Sequence, residues 1–251
     1  MKCVFLALAG MAMICHGLPV KEMKREVFKK EGSELPYRWV RTPGEGNPAL
    51  VLFLHGAGER GDDNEAQLVH GVADLLAWLE KEGKAAVVVA PQCPKGVWWA
   101  DLKGDFRSPE GGRLEGEASP RMTMVSGIVD QLVEQEKVDP KRVYVTGLSM
   151  GGFGTFAAVA RRPELFAAAI PVCGGGDPTK AGVMKQVPFR VFHGAADQIV
   201  PVGASEVMVK ALREAGGKVD LEVYPGVGHD SWTRTYRNPE VWKWLFEQKR
   251  K

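Results

Sequence analysis

Three short stretches carry side chains able to do covalent chemistry. Gly147-Leu-Ser149-Met-Gly151 sets a serine between two glycines; His193-Gly-Ala-Ala-Asp197 supplies a carboxylate; Gly226-Val-Gly-His229 supplies an imidazole. A serine hydroxyl is a poor nucleophile by itself and needs a base, which a third group must orient. Serine, acid and histidine follow one another in that chain order, so together they suit acyl transfer. Ser149 would attack, His229 would take its proton and Asp197 would hold the imidazole. Asp177, Glu222 and Asp230 compete for the acid's role, and His55 and His193 for the base's. Both of those histidines directly precede a glycine after an apolar run, where an imidazole more often holds a loop by hydrogen bonding.

The serine motif gains its weight from context. With seven serines and 30 glycines in 251 residues, chance alone supplies roughly 0.1 copies of Gly-x-Ser-x-Gly. Here an apolar run, Val143–Thr146, leads into it and a helix-period segment, Met150–Arg161, leaves it. A tight strand-to-helix turn needs small neighbours at Gly147 and Gly151, and the following helix aims its first N–H groups at developing negative charge. The glycine-rich run His55-Gly-Ala-Gly-Glu-Arg-Gly61, after the apolar run Ala49–Leu54, is placed to add a second donor. The expected oxyanion donors are the N–H groups of Met150 and Ala57, with Gly58 the alternative to Ala57.

The elements that must position these residues follow from periodicity. Ala49–Leu54, Ala85–Ala90, Val143–Thr146, Ala167–Val172, Phe189–Phe192 and Val219–Tyr224 are short apolar runs suited to strands buried on both faces. Helix-period segments alternate with them over Asn64–Glu80, Met122–Lys137, Met150–Arg161, Ala204–Ala215 and Pro239–Lys249, the last with Asn238 as N-cap. Lys24–Lys30 and Leu35–Arg41 read as an edge hairpin. That alternation predicts a mostly parallel sheet of about eight strands with helices on both faces. Active sites of such sheets form beyond the carboxyl ends of the strands, where three residues distant in sequence can converge. Asp101–Arg121 has no clear element, and loops of that length are usually functional.

Composition narrows the classes. Of 251 residues, 45% are hydrophobic and 25% charged, with 33 basic against 31 acidic groups. That near-neutral balance gives no electrostatic handle on nucleic acid. Four cysteines, with no C-x-x-C pair, offer neither a disulfide scaffold nor a zinc or redox motif, so no metal or cofactor is expected. Cys93 and Cys173 are expected as free thiols, on strands that are not neighbours. Residues 1–17, with Lys2, an apolar run Val4–Ile14 and Gly17, read as a cleavable secretory signal too short for stable membrane insertion. Residues 18–251 then form one domain, exported or periplasmic.

The motifs also carry a family resemblance. Val138-Asp-Pro-Lys-Arg142 running into the serine motif, the loop His55–Gly61, Pro91-Gln-Cys-Pro-Lys-Gly-Val-Trp-Trp99 and Cys173-Gly-Gly-Gly-Asp177 resemble the secreted bacterial α/β-hydrolases of the predicted peptidase group. These are similar to polyhydroxybutyrate depolymerase-like and feruloyl or acetylxylan esterase-like enzymes and to prolyl oligopeptidase catalytic domains. The resemblance covers nearly all of residues 22–249. It implies an α/β-hydrolase fold and a serine hydrolase with Ser149, Asp197 and His229 as triad. An ester substrate, small or linked to polysaccharide, is expected ahead of a peptide. No propeller-length segment precedes Leu35, and the stretch from Cys173 to Val187 is too short for a large cap. A prolyl oligopeptidase-like peptidase is the second reading, and a hydrolase-fold binding module without turnover the third. Trp99, Trp232 and Asp177 are the expected substrate contacts, and of Trp98 and Trp99 one is expected to face the site.

Overall fold

The computed structural model describes residues 20–105 and 111–251, so the expected leader over residues 1–17 lies outside the described residues. The chain opens with an antiparallel hairpin, β1 (Lys24–Lys30) and β2 (Ser33–Arg41), and continues through β3 (Ala49–Leu54), α1 (Val72–Lys81) and β4 (Ala86–Pro91). A short ladder, β5 (Leu102–Lys103) with β6 (Arg113–Leu114), precedes α2 (Pro120–Gln135). The rest alternates: β7 (Val143–Leu148), α3 (Met150–Arg161), β8 (Ala168–Val172), α4 (Ala181–Met184), β9 (Phe189–Gly194), α5 (Gly203–Glu214) and β10 (Val219–Tyr224). Two helices, α6 (Trp232–Tyr236) and α7 (Pro239–Glu247), close it. Among the described residues no helix is long and apolar enough to cross a membrane.

Eight strands form one sheet in the order β1-β2-β4-β3-β7-β8-β9-β10. The hairpin and the β2–β4 pair are antiparallel, and the other pairs are parallel. This is the mostly parallel sheet that the alternation of runs predicts, in the α/β-hydrolase arrangement that the resemblance implies. From β3 the chain moves outward to β4 and then crosses back to β7, so the order reverses between β3 and β7. Their carboxyl ends carry His55 to Gly58 and Ser149, which places both loops at the crevice that such a reversal opens.

Period-two alternation splits the central strands between two cores. Leu50, Leu52, Leu54, Val87, Val89, Val143 and Val145 face the core shared with α2, α3 and α5. Ala49, Val51, Phe53, Ala86, Val88 and Tyr144 face the core shared with α1 and α7. Every residue of β3, β4 and β7 is buried. A buried Leu, Val or Phe of this kind contributes about 1.5–3 kcal/mol relative to an exposed one, so the strands that carry the active-site loops are anchored in both cores.

Two expectations are corrected. The single helix expected over Asn64–Glu80 is broken into one 3-10 turn, Ala66–Leu68, and α1. Gly71 at φ +74 divides them, and a Cβ there would lie 2.4 Å from the Tyr236 ring, so a tertiary contact overrides the periodicity. The Asp101–Arg121 stretch is tied down at its described ends. Leu102 pairs with Leu114, Gly112 N–H reaches Gly176 O, and Ser119 caps α2 through Met122 N–H. Cys93 and Cys173 are buried free thiols; the β4 and β8 strands that precede them are separated by β3 and β7.

Candidate active site

Ser149 occupies the turn between β7 and α3 at φ 51, ψ −116, a conformation rare for any residue with a side chain. Strain of this sort costs on the order of 1–3 kcal/mol and persists only where the surroundings over-determine it. Here they do. Ser149 N–H is fixed by Val172 O at 2.9 Å and its carbonyl by Phe153 N–H at 3.1 Å. A Cβ on Gly151 would fall 1.9 Å from Leu54 O, and one on Gly147 would fall 2.4 Å from Gly151 O. The two glycines let β3, β7 and α3 approach closely enough to lift the serine out of the turn.

His229 and Asp197 meet Ser149 from the ends of β10 and β9. Ser149 Oγ lies 2.9 Å from His229 Nε2, and His229 Nδ1 lies 2.7 Å from Asp197 Oδ2. An ionised carboxylate only accepts, so Nδ1 carries the proton and Nε2 is left to accept from the serine hydroxyl. Asp197 Oδ1 accepts from the N–H groups of Ile199 and Val200, both at 2.9 Å, which fixes the carboxylate before the imidazole arrives. The rivals sit elsewhere. Glu222 pairs with Arg190 at 3.4 Å, and Asp230 caps α6 through Thr233 N–H at 3.1 Å.

His55 holds the loop opposite Ser149. Its Nδ1–H reaches Gly56 O at 2.6 Å, and its Nε2 accepts from Cys93 N–H at 2.9 Å, which ties the loop after β3 to the end of β4. Burial pushes this imidazole down from 6.5 to about 4, so it is neutral, as one donor and one acceptor require. Arg60 Nε donates to Ala57 O at 2.8 Å and turns that peptide's carbonyl toward itself. Among the described residues the N–H groups of Ala57 and Met150 have no acceptor, as expected of donors reserved for a ligand oxygen. Gly58 N–H is likewise open.

Cys173 Sγ, an Asp197 oxygen and a His229 nitrogen lie within 4.8 Å of one another, the one such cluster among the described residues. The carboxylate and both ring nitrogens are already engaged, and burial raises the thiol to about 12, so it stays protonated. That is a poor donor set for a cation.

The expected substrate contacts divide. Trp232 packs perpendicular to the His229 ring, with centroids 5.3 Å apart, and is half-buried beside the site. Trp99 is not a substrate contact. It is 0% exposed, donates from Nε1 to His55 O at 3.0 Å, and packs against Gly154, which places it beneath the loop. Trp98 is the exposed member of the pair, at 40%, with its ring 6.5 Å from Phe153. Asp177 is also corrected. It is buried, its Oδ2 accepts from Leu114 N–H at 2.9 Å, and its Oδ1 accepts from the Thr179 N–H and hydroxyl. It clamps the β5–β6 segment rather than facing a substrate. Trp98 and Phe153 line a cavity of about 550 Å³ with Val97, Leu102 and Arg121. Phe153, one helical turn after Ser149, is only 2% exposed and belongs to the core beneath that cavity.

With this geometry in view, residues 35–238 match the phospholipase/carboxylesterase family. The chain belongs to that family. Carboxylesterase SOBER1 of Arabidopsis thaliana is 27% identical over 209 residues, 77% of this chain and 88% of that protein. The bifunctional acetylxylan esterase/xylanase XynS20E of Neocallimastix patriciarum is 27% identical over 168 residues, 67% of this chain but 22% of that protein. A solved thermostable esterase superposes with a TM-score of 0.80 at 41% identity, over 92% of this chain and 64% of that one. The phospholipase/carboxylesterase member described here is an enzyme, a serine hydrolase of the ester-hydrolysing kind.

Proposed function

We propose that Ser149, His229 and Asp197 are the catalytic triad of an exported esterase that removes acyl groups carried on plant polysaccharide, of the feruloyl or acetylxylan type. The observation that carries the triad is the unbroken line of hydrogen bonds, 2.9 and then 2.7 Å, from a serine on a strained turn to a buried carboxylate. Ser149 Oγ attacks the ester carbonyl carbon while its proton passes to His229 Nε2. The carbonyl oxygen takes the negative charge and receives the N–H groups of Met150 and Ala57. Collapse expels the alcohol, which leaves with the proton held on Nε2, and an acyl group remains on Ser149. Water then gives its proton to Nε2 and attacks the acyl carbon; the acid departs as Oγ recovers its proton.

Three features support a polysaccharide-borne acyl group. The leader-like residues 1–17 suit export. Among the described residues the elements set between the strands at β5–β6 and α4 are two to four residues long, which leaves room for a bulky alcohol to approach. Trp98, 40% exposed, offers a flat apolar wall to an aromatic or short acyl chain. The similarity to an acetylxylan esterase/xylanase agrees with this reading. A side-by-side assay of p-nitrophenyl acetate, methyl ferulate, acetylated xylan and a proline-containing peptide tests it. Turnover of methyl ferulate or acetylated xylan with kcat/KM at least that on p-nitrophenyl acetate is expected. Efficient cleavage of the peptide alone would make the enzyme a peptidase, and turnover confined to p-nitrophenyl acetate would refute the polysaccharide assignment.

A further inference from the structure

A second histidine stands behind the carboxylate. His193, at the end of β9, is fully buried and places Nε2 2.9 Å from Val200 O and 3.3 Å from Asp197 Oδ2. Its Nδ1 is 2.7 Å from Ser205 Oγ on α5, which in turn lies 2.8 Å from Gly174 O. Gly174 follows β8 and packs against Gly152 of the nucleophile's helix. A chain of polar contacts therefore runs from the loop behind Ser149, through Ser205 and His193, to Asp197 and back to His229.

Counting protons fixes how this chain is wired. Both oxygens facing His193 Nε2 can only accept, so Nε2 carries a hydrogen. Burial pushes the imidazole down from its usual pKa, which keeps it neutral and leaves Nδ1 as an acceptor. The Ser205 hydroxyl then has two acceptors for its one proton, Nδ1 and Gly174 O. Asp197 accepts three N–H bonds, from Ile199 and Val200 on Oδ1 and from His229 on Oδ2, while the His193 Nε2–H, bonded to Val200 O, stands 3.3 Å from Oδ2. Its side chain is 0% exposed, so water does not complete the set.

We infer that His193 is a positioning residue for Asp197. Its Nε2–H holds Val200 O, which pins the turn whose Ile199 and Val200 N–H groups grip Oδ1, and stands 3.3 Å from Oδ2, so it fixes the carboxylate's rotation and with it the direction of the bond that orients His229. This rests on Asp197 being the triad acid. Nothing about His193 brings it to substrate, so it acts on the chemical step and not on binding. The titratable groups around it are Asp197, His229 beyond that carboxylate, and the Cys173 thiol beside both. Removing the Nε2–H donor leaves the negative charge on Oδ2 less dispersed. The imidazolium of His229 is then favoured, so the acid limb of the pH profile moves upward as kcat falls.

The test is a double-mutant cycle. His193→Met fills similar volume without a donor, His193→Asn stops short of the Nε2 position, and His193→Gln returns an amide donor there. Each is made alone and on Asp197→Asn, with kcat and KM measured per titrated active site, a pH profile for each single variant, and thermal melts throughout. Loss of the Nε2–H, a hydrogen bond to Val200 O and a dipole beside a charged carboxylate, predicts a fall in kcat of about tenfold for the donorless variants. KM should be unchanged, the acid limb should move upward, and His193→Gln should recover most of the loss. On Asp197→Asn the same substitutions should cost less than about twofold. An equal loss on both backgrounds, wild-type kcat in His193→Met, or failure of both donorless variants to fold while His193→Gln folds would overturn the assignment. Wild-type kcat in Asp197→Asn itself would instead refute the triad on which it rests.

Discussion

Acid sensitivity of the loop that carries Ala57 follows from His55. In the folded protein this imidazole titrates at about 4, against 6.5 when free, with burial the leading cause. As pH falls through 6.5 the unfolded chain takes up a proton that the folded chain refuses, so stability declines from there and the decline ends near pH 4, where the folded ring protonates too. The gap from 6.5 to about 4 corresponds to about 3 kcal/mol, most of it lost by about pH 4.5. His193, also lowered by burial, adds loss of the same sign, whereas the lowered carboxylates Asp63, Asp139 and Glu164 act mainly below that window. Urea unfolding at pH 7, 6, 5 and 4.5, on wild type and on His55→Gln, isolates the term. The variant should be less stable at pH 7, because Gly56 O and Cys93 N–H lose their partner, yet its stability should vary less with pH by roughly 3 kcal/mol. Parallel curves for the two proteins would refute a buried neutral His55.

Three substitutions probe the packing around the nucleophile. Gly151→Ala drives a methyl into Leu54 O, so it should cost more than about 3 kcal/mol in urea unfolding and remove activity; a stable, active variant would contradict the close approach of β3 and α3. Trp99→Leu should lower stability by about 3 kcal/mol and kcat with it, because the tryptophan supports the His55 carbonyl; a change in KM alone would return it to the substrate's side. Trp98→Ala should do the reverse, leaving the melting temperature within a few degrees and raising KM for methyl ferulate, and an unchanged KM would remove Trp98 from the binding surface.

The nucleophile's turn was legible because its demands are local. A strand, a serine between glycines and a helix restrict one another within a dozen residues, and the two glycines prove to be in contact with β3 and α3. The parallel strands were legible for a similar reason, since burial on both faces writes an unbroken apolar run. What the sequence hid depended on distant partners. Nothing near Gly71 announces the Tyr236 ring that needs it, so one helix was expected where the chain bends. Trp98 and Trp99 are chemically identical neighbours, and the choice of which is buried is made by the carbonyl of His55. Asp177 follows a strand as a catalytic acid would, but the Leu114 N–H that claims it comes from another part of the chain. His193 shares a motif with Asp197, and only the approach of Val200 O reveals how its proton is placed.

The central claim is that Ser149 is the nucleophile. It is tested most directly by treating the folded protein with a fluorophosphonate and mapping the adduct by peptide mass spectrometry. The geometry predicts one stoichiometric adduct on the peptide containing Ser149, full loss of ester hydrolysis on labelling, and neither adduct nor turnover in Ser149→Ala. An active, folded enzyme that takes no label, or takes it on another residue, would contradict the account.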